Sequence, residues 1–205
     1  MENYLKELEL PSRDSHLEIW GMTDDLYLRA LYALVRKEKP KHMVELGTYR
    51  GFSTNAMAQG LVDEGLNSSK IYTVDLHEDH QYEAPSQYKG VVEVIKSNTQ
   101  NKDLPANIVF EEVPTIYYFD ERNNPRRQWI DILFVDADHS YENTKADWEN
   151  WEPYVKSGGL VMFHDIRPLH DHTRGSAQHW NEMCEKYPGQ WSMMDSCEMG
   201  VIRMP

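Results

Sequence analysis

Four apolar runs in this chain end in side chains that can do chemistry. Val44-Glu45-Leu46-Gly47-Thr48-Tyr49-Arg50-Gly51 joins an acid to a glycine-bearing turn, and a second run, Ile71 to Leu76, carries Asp75. Ile130 to Val135 leads into Asp136-Ala137-Asp138-His139, and Leu160 to Phe163 leads into His164-Asp165. In an open parallel sheet, ligands bind beyond the carboxyl ends of the strands, so these endings predict acidic groups converging on one rim. The glycine turn discriminates between ligands. A dinucleotide fingerprint needs G-x-G-x-x-G, but counting from Gly47 puts Tyr49 and Phe52 at the second and third glycine positions. No G-x-x-x-x-G-K-[ST] segment occurs, which excludes a P-loop.

The elements that must position these residues follow from apolar periodicity. A helix is predicted over Asp24 to Lys39, capped by Thr23, with Leu26, Ala30, Leu34 and Val35 at helical spacing and Pro40 ending it. His42 to Leu46 reads as a strand that turns at Gly47 into a helix from about Phe52, with Met57, Leu61 and Val62 on one side. Strands are predicted at Ile71 to Leu76, Ile108 to Val113, Ile130 to Val135 and Leu160 to Phe163, and helices at Tyr88 to Asn101, Tyr141 to Val155 and Ser176 to Lys186. Lys156-Ser157-Gly158-Gly159 reads as a helix stop and turn. Trp191 to Met194 and Met199 to Arg203 read as a closing hairpin at one side of the sheet. Such alternation predicts an α/β fold, a doubly wound, mostly parallel sheet covered on both faces. Residues 1–21 form a polar leader or cap, and residues 22–205 a single domain.

Glu45, two residues before Gly47, would repel a phosphate, yet it suits a ligand carrying an ammonium and a sulfonium, as S-adenosylmethionine does. The carboxylate of such a ligand can take backbone N–H groups at the helix start near Gly51 to Ser53. Asp75 can accept both ribose hydroxyls. Gly47 and Gly51 serve a ligand-free βα turn equally well, and Asp75 taken alone reads first as a solvated strand end.

Charge narrows the partners. The chain has 205 residues, with 34 Asp and Glu against 21 Lys and Arg and a net charge of −13, which argues against a nucleic-acid partner. No apolar run approaches the roughly 20 residues needed to span a bilayer, so no membrane partner and a cytoplasmic location are expected. Cys184 and Cys197 are expected as reduced thiols in that setting.

The segments VELGTYRGFST, IYTVDLHED and DILFVDADHSYENTKADWENWEPYVKSGGLVMFHDI together resemble the class I S-adenosylmethionine-dependent methyltransferases. More narrowly, they are similar to the small-molecule O-methyltransferases that include the macrocin and mycinamicin sugar methyltransferases and the cephalosporin-biosynthesis protein. The similarity covers roughly residues 40–203, and Asp136 to Asp165 is its most specific block. It implies a Rossmann-like seven-stranded sheet with an antiparallel last strand, and cofactor binding by Glu45, Gly47, Thr48, Gly51, Ser53, Asp75 and Asp136.

The resemblance also implies a divalent metal, usually magnesium, at Asp136, His164 and Asp165, where His164 stands in place of an acid. Strands that neighbour in a sheet lie about 4.8 Å apart, so the two aspartates can share an ion if theirs do. The same His164 and Asp165 could instead line a cofactor pocket. His139, three residues after Asp136, matches the general base of the sugar methyltransferases, and a histidine can take a hydroxyl proton at neutral pH.

The implied reaction is methyl transfer to a hydroxyl of a small molecule. The rivals are a non-catalytic S-adenosylmethionine-binding subunit or sensor and a nicotinamide-dependent oxidoreductase. His170, Asp171, His172 and His179 read as a polar lid in preference to a second metal cluster. Arg122, Arg126 and Arg127 read as a solvated loop, Trp148 and Trp151 as core. A helix within residues 1–38 is the candidate interface for a homo-oligomer.

Overall fold

Along each strand apolar residues alternate between two faces, and the sheet is built on that alternation. The computed structural model describes residues 1–11, 26–49, 51–75, 108–112 and 128–205. Its elements run α1 (Leu26–Glu38), β1 (His42–Leu46), α2 (Phe52–Asp63), β2 (Lys70–Asp75), β3 (Ile108–Glu112) and β4 (Ile130–Val135). After these come α3 (Tyr141–Trp151), β5 (Val155–Phe163), α4 (Arg174–Lys186), β6 (Trp191–Met194) and β7 (Met199–Arg203). Seven strands form one sheet in the order β3-β2-β1-β4-β5-β7-β6. β7 alone runs against the direction of the other six strands, the arrangement that the resemblance implies.

Met43, Ile71, Ile132, Phe134, Leu160 and Met162 point to the face covered by α1 and α2. Their sequence neighbours Val44, Leu133, Val135, Val161 and Phe163 point to the other, where Trp148 and Trp151 of α3 and Trp180 and Met183 of α4 cover them. Both tryptophans of α3 are core, as their spacing predicts. From β1 the chain steps outward to β2 and β3, then returns to β4 on the far side of β1. A crevice therefore opens between the carboxyl ends of β1 and β4, where the winding reverses.

Two boundaries differ from the sequence expectation. The helix predicted through Val155 stops at Trp151, and Glu152–Tyr154 form a 3₁₀ turn. Pro153 is the cause, since it has no N–H to continue the helical hydrogen-bond ladder. The Lys156 to Gly159 stretch is not a stop but part of β5, where pairing jumps from Ile130↔Val155 to Ile132↔Leu160. Gly158, at φ +76°, carries this bulge, and its N–H donates to the Met204 carbonyl.

The N-terminal segment is joined to the domain. Leu5 and Leu8 are buried in the α1/α2 core, the Leu5 N–H donates to Ser192 Oγ at 3.1 Å, and the Tyr4 hydroxyl donates to Glu38. Among the described residues no helix is long and apolar enough to cross a membrane. Thr23, the helix predicted over 88–101 and the arginines 122, 126 and 127 lie outside the described residues.

Candidate functional site

A cleft of about 970 Å³ opens at the β1/β4 switch point. Gly47, Thr48, Ser53, Asp75, Asp136, His139, His164 and Asp165 all line it, so most of the residues singled out in the sequence meet there.

The glycine turn is built by two constraints. Gly47 has φ +96°, and a Cβ there would lie 2.2 Å from the Asp136 carbonyl oxygen. Its N–H donates to the Val74 carbonyl while the Asp136 N–H donates to that of Leu46, so the turn is stitched to both neighbouring strands. Gly51, at φ +74°, is the N-cap of α2, and the Tyr49 N–H donates to Asp75 Oδ2 at 2.8 Å. Asp75 is thus more than a solvated strand end: it is buried and pins the turn.

Glu45 is placed differently from its expected role as a direct partner of the ligand's ammonium. Its side chain is fully buried and does not line the cleft. It accepts hydrogen bonds from Ser53 (2.5 Å), Thr54 and Thr73 (2.6 Å), and Thr73 in turn meets Thr48. The physical reason is strand alternation: Gly47 turns the chain at the rim, but Glu45 precedes it inside the sheet and points under the start of α2. Burial pushes its carboxyl up to about 7 despite the three hydroxyl donors.

This has a pH consequence. Because the folded value exceeds the ordinary 4.5, the proton is bound more tightly in the folded chain. Stability from this group is complete below about 4.5 and is lost as pH rises through about 7, a change of roughly 3 kcal/mol. Urea unfolding of Glu45→Gln and the wild type across this range should give stability differences that move with pH. Parallel curves would show that Glu45 does not carry the titration.

At the ends of β4 and β5, which pair directly, Asp136 and Asp165 face each other across two imidazoles. His139 Nε2 lies 3.6 Å from Asp136 Oδ1 and 3.1 Å from Asp165 Oδ2. His164 Nδ1 lies 3.3 Å and 3.4 Å from the same two oxygens. Asp136 raises the pKa of His139 against the opposing effect of burial. Burial also opposes the charge on His164, but the two carboxylates overcome it and push its pKa up to about 10. Asp165 occupies left-handed backbone at φ +53°, a conformation that costs a non-glycine residue roughly 1 kcal/mol.

The donors fit a divalent cation. One donor atom each from Asp136, His139 and Asp165 lies within 4.8 Å of the other two. The His139 Nε2 atom is buried, yet it makes no hydrogen bond even with Asp165 Oδ2 at 3.1 Å, because its N–H direction misses that oxygen. Two hard oxygens with one imidazole, converging on one point, suit magnesium, manganese or zinc. His139 therefore sits within the cluster, although its sequence reading was as base alone.

The segment read from sequence as a lid touches this cluster at the start of α4. The Ser176 N–H donates to the His139 carbonyl, and Ser176 Oγ donates to that of Asp165 at 2.9 Å. A Cβ on Gly175 would lie 2.1 Å from the Tyr141 nitrogen, so α4 begins pressed against the loop that carries His139. A glycine in the first turn of a helix was the sequence signal for this contact. The histidines of the segment divide. His172 lines the cleft with its ring 6.0 Å from that of His139, Asp171 pairs with Arg174, and His179 is buried among Trp148, Phe163 and Tyr141. They do not form one ligand cluster. Tyr27, from α1, also lines the cleft and was not singled out by its sequence context.

Comparison with known proteins agrees with this fold. A curated relative, the uncharacterized protein y4gI of Sinorhizobium fredii, is 27% identical over 155 residues, covering 76% of this chain and 16% of that protein. The chain spans between 16% and 63% of the length of the curated relatives it matches. Among solved structures, the apo TDP-rhamnose 3'-O-methyltransferase of calicheamicin biosynthesis superposes with a TM-score of 0.66 at 19% identity, covering 98% of this chain and 90% of that one. An O-methyltransferase from Bacillus cereus, in complex with SAH, gives 0.64 at 17% identity over 98% and 96% of the two chains. At such identities these likenesses establish the fold. Residues 44–166, running from β1 past the Asp136–Asp165 pair, match the family model described as a methyltransferase domain, and the chain belongs to that family.

Proposed function

We propose that this methyltransferase uses S-adenosylmethionine to methylate a hydroxyl of a small molecule, assisted by a divalent cation. The observation that carries the reading is the convergence of Asp136, His139 and Asp165 on one point beside the glycine turn. Gly47, Thr48, Gly51 and Ser53 form the floor and the helix N-terminus for the cofactor, Asp75 accepts its ribose hydroxyls, and Asp136 borders both halves of the cleft. Glu45 acts indirectly, by fixing the hydroxyls of Ser53 and Thr54 beneath that floor.

Asp136 and Asp165, with His164 Nδ1 beside them, hold the cation. When bound, it lowers the pKa of a coordinated hydroxyl and orients it. His139 takes the hydroxyl proton at Nε2, the buried nitrogen that faces both carboxylates. The walls of the cleft exclude water and align the acceptor for in-line displacement. A second reading is favoured by the same convergence: His139 is itself the third donor.

Titration calorimetry of the metal-stripped protein with S-adenosylhomocysteine, with and without magnesium and with NAD as control, tests the cofactor. Saturable S-adenosylhomocysteine binding supports the reading, and NAD binding alone sinks it. His139→Ala decides between roles. Retained manganese binding with turnover reduced by about 10²–10⁴ identifies the base, and lost manganese binding identifies the donor. Retained manganese binding together with undiminished turnover removes both.

A further inference from the structure

The family match begins at residue 44, yet one wall of the cleft comes from upstream of it. Tyr27 stands in the first turn of α1, half-buried, with its ring centroid 4.5 Å from that of His164 and the planes tilted by 38°. At that spacing the two rings are in van der Waals contact in a tilted arrangement. Nδ1 of the same imidazole lies 3.3 Å from Asp136 Oδ1 and 3.4 Å from Asp165 Oδ2. Those polar contacts constrain one edge of the ring, whereas the orientation of its plane about χ2, a broad torsion in histidine, is left to packing.

The platform behind Tyr27 is rigid. Leu28, Leu31, Leu34 and Val35 of α1 are buried in the core, and Glu38 at its far end is held by both guanidinium nitrogens of Arg203, at 2.7 and 2.9 Å. We infer that Tyr27 is a positioning residue. Its ring holds the His164 imidazole in the plane from which Nδ1 faces Asp136 and Asp165 together, which makes α1 part of the site as well as of the core. The inference rests on the reading of those aspartates as a cation site, and the test separates the two.

Tyr27→Phe keeps the aromatic face, whereas Tyr27→Leu removes it. In metal-free protein at fixed pH, the ring ¹H–¹³C resonance of His164, assigned by its loss in His164→Asn, should be unchanged in the Phe variant and shifted and broadened in the Leu variant. Manganese affinity, read by electron paramagnetic resonance, should be native in Phe and about tenfold weaker in Leu, the usual effect of losing a group that orients a ligand. An unchanged His164 resonance in Leu overturns the inference. So does an equal change in Phe, which would assign the effect to the hydroxyl. If the wild type binds no manganese, the cation site fails while the ring resonance still decides Tyr27. Tyr27→Met provides the same comparison should the Leu variant not fold.

Discussion

Gly47→Ala is expected to abolish S-adenosylhomocysteine binding and to destabilise the chain by roughly 3 kcal/mol, from left-handed strain and overpacking combined. The new Cβ would stand 2.2 Å from the Asp136 carbonyl oxygen and 2.8 Å from Ala137 Cα, both backbone atoms that cannot swing aside. Relief requires the β1 and β4 ends to part. That breaks the Asp136 N–H to Leu46 carbonyl bond and moves Asp136 away from Asp165. Gly65→Ala is the control, because φ there is +68° but nothing lies within 4 Å. It should cost about 1–2 kcal/mol and leave binding intact. Urea midpoints and calorimetry on both variants check this, and native affinity in Gly47→Ala would show that the turn is not the cofactor floor.

Asp136→Asn is expected to lower turnover by about 10³, on the order of 4 kcal/mol, and to remove any response to magnesium. The amide keeps the shape of the side chain and leaves the backbone bonds of the β4 end in place, so the fold should be retained, with stability at neutral pH lowered because His164 loses one of the two carboxylates that hold its charge. What is lost is the charge that His139 and His164 both approach. Single-turnover kinetics with the methyl donor saturating separates this from a binding defect. Turnover within a few-fold of the wild type would remove Asp136 from the reaction and leave it as a wall of the cofactor cleft.

Much of the architecture was legible because it rests on local rules. Strand alternation at Met43 to Leu46, Ile132 to Val135 and Leu160 to Phe163 assigns side chains to two faces, and the closing strands Trp191–Met194 and Met199–Arg203 fall where their apolar pattern puts them. The end of α3 was misread because periodicity at Trp148, Trp151 and Val155 continues smoothly through Pro153. The backbone cannot follow it there.

In the site, residue types and their places after strands were enough to single out Asp136, His139, His164 and Asp165, since a ligand-binding rim in this topology lies at strand ends. The sequence alone also determined the glycine turn and the exclusion of a dinucleotide fingerprint, because these depend on backbone conformation within a few residues. Tertiary structure decided the rest. Glu45 became a buried anchor because Ser53, Thr54 and Thr73 meet beneath the turn, and two of these lie on α2 and one on β2. His139 joined the carboxylate pair, and Tyr27 reached His164 from α1, through contacts between residues 26 to 137 positions apart. No local periodicity encodes such distances, because they are set when the sheet brings β4 and β5 side by side and the helices pack over it.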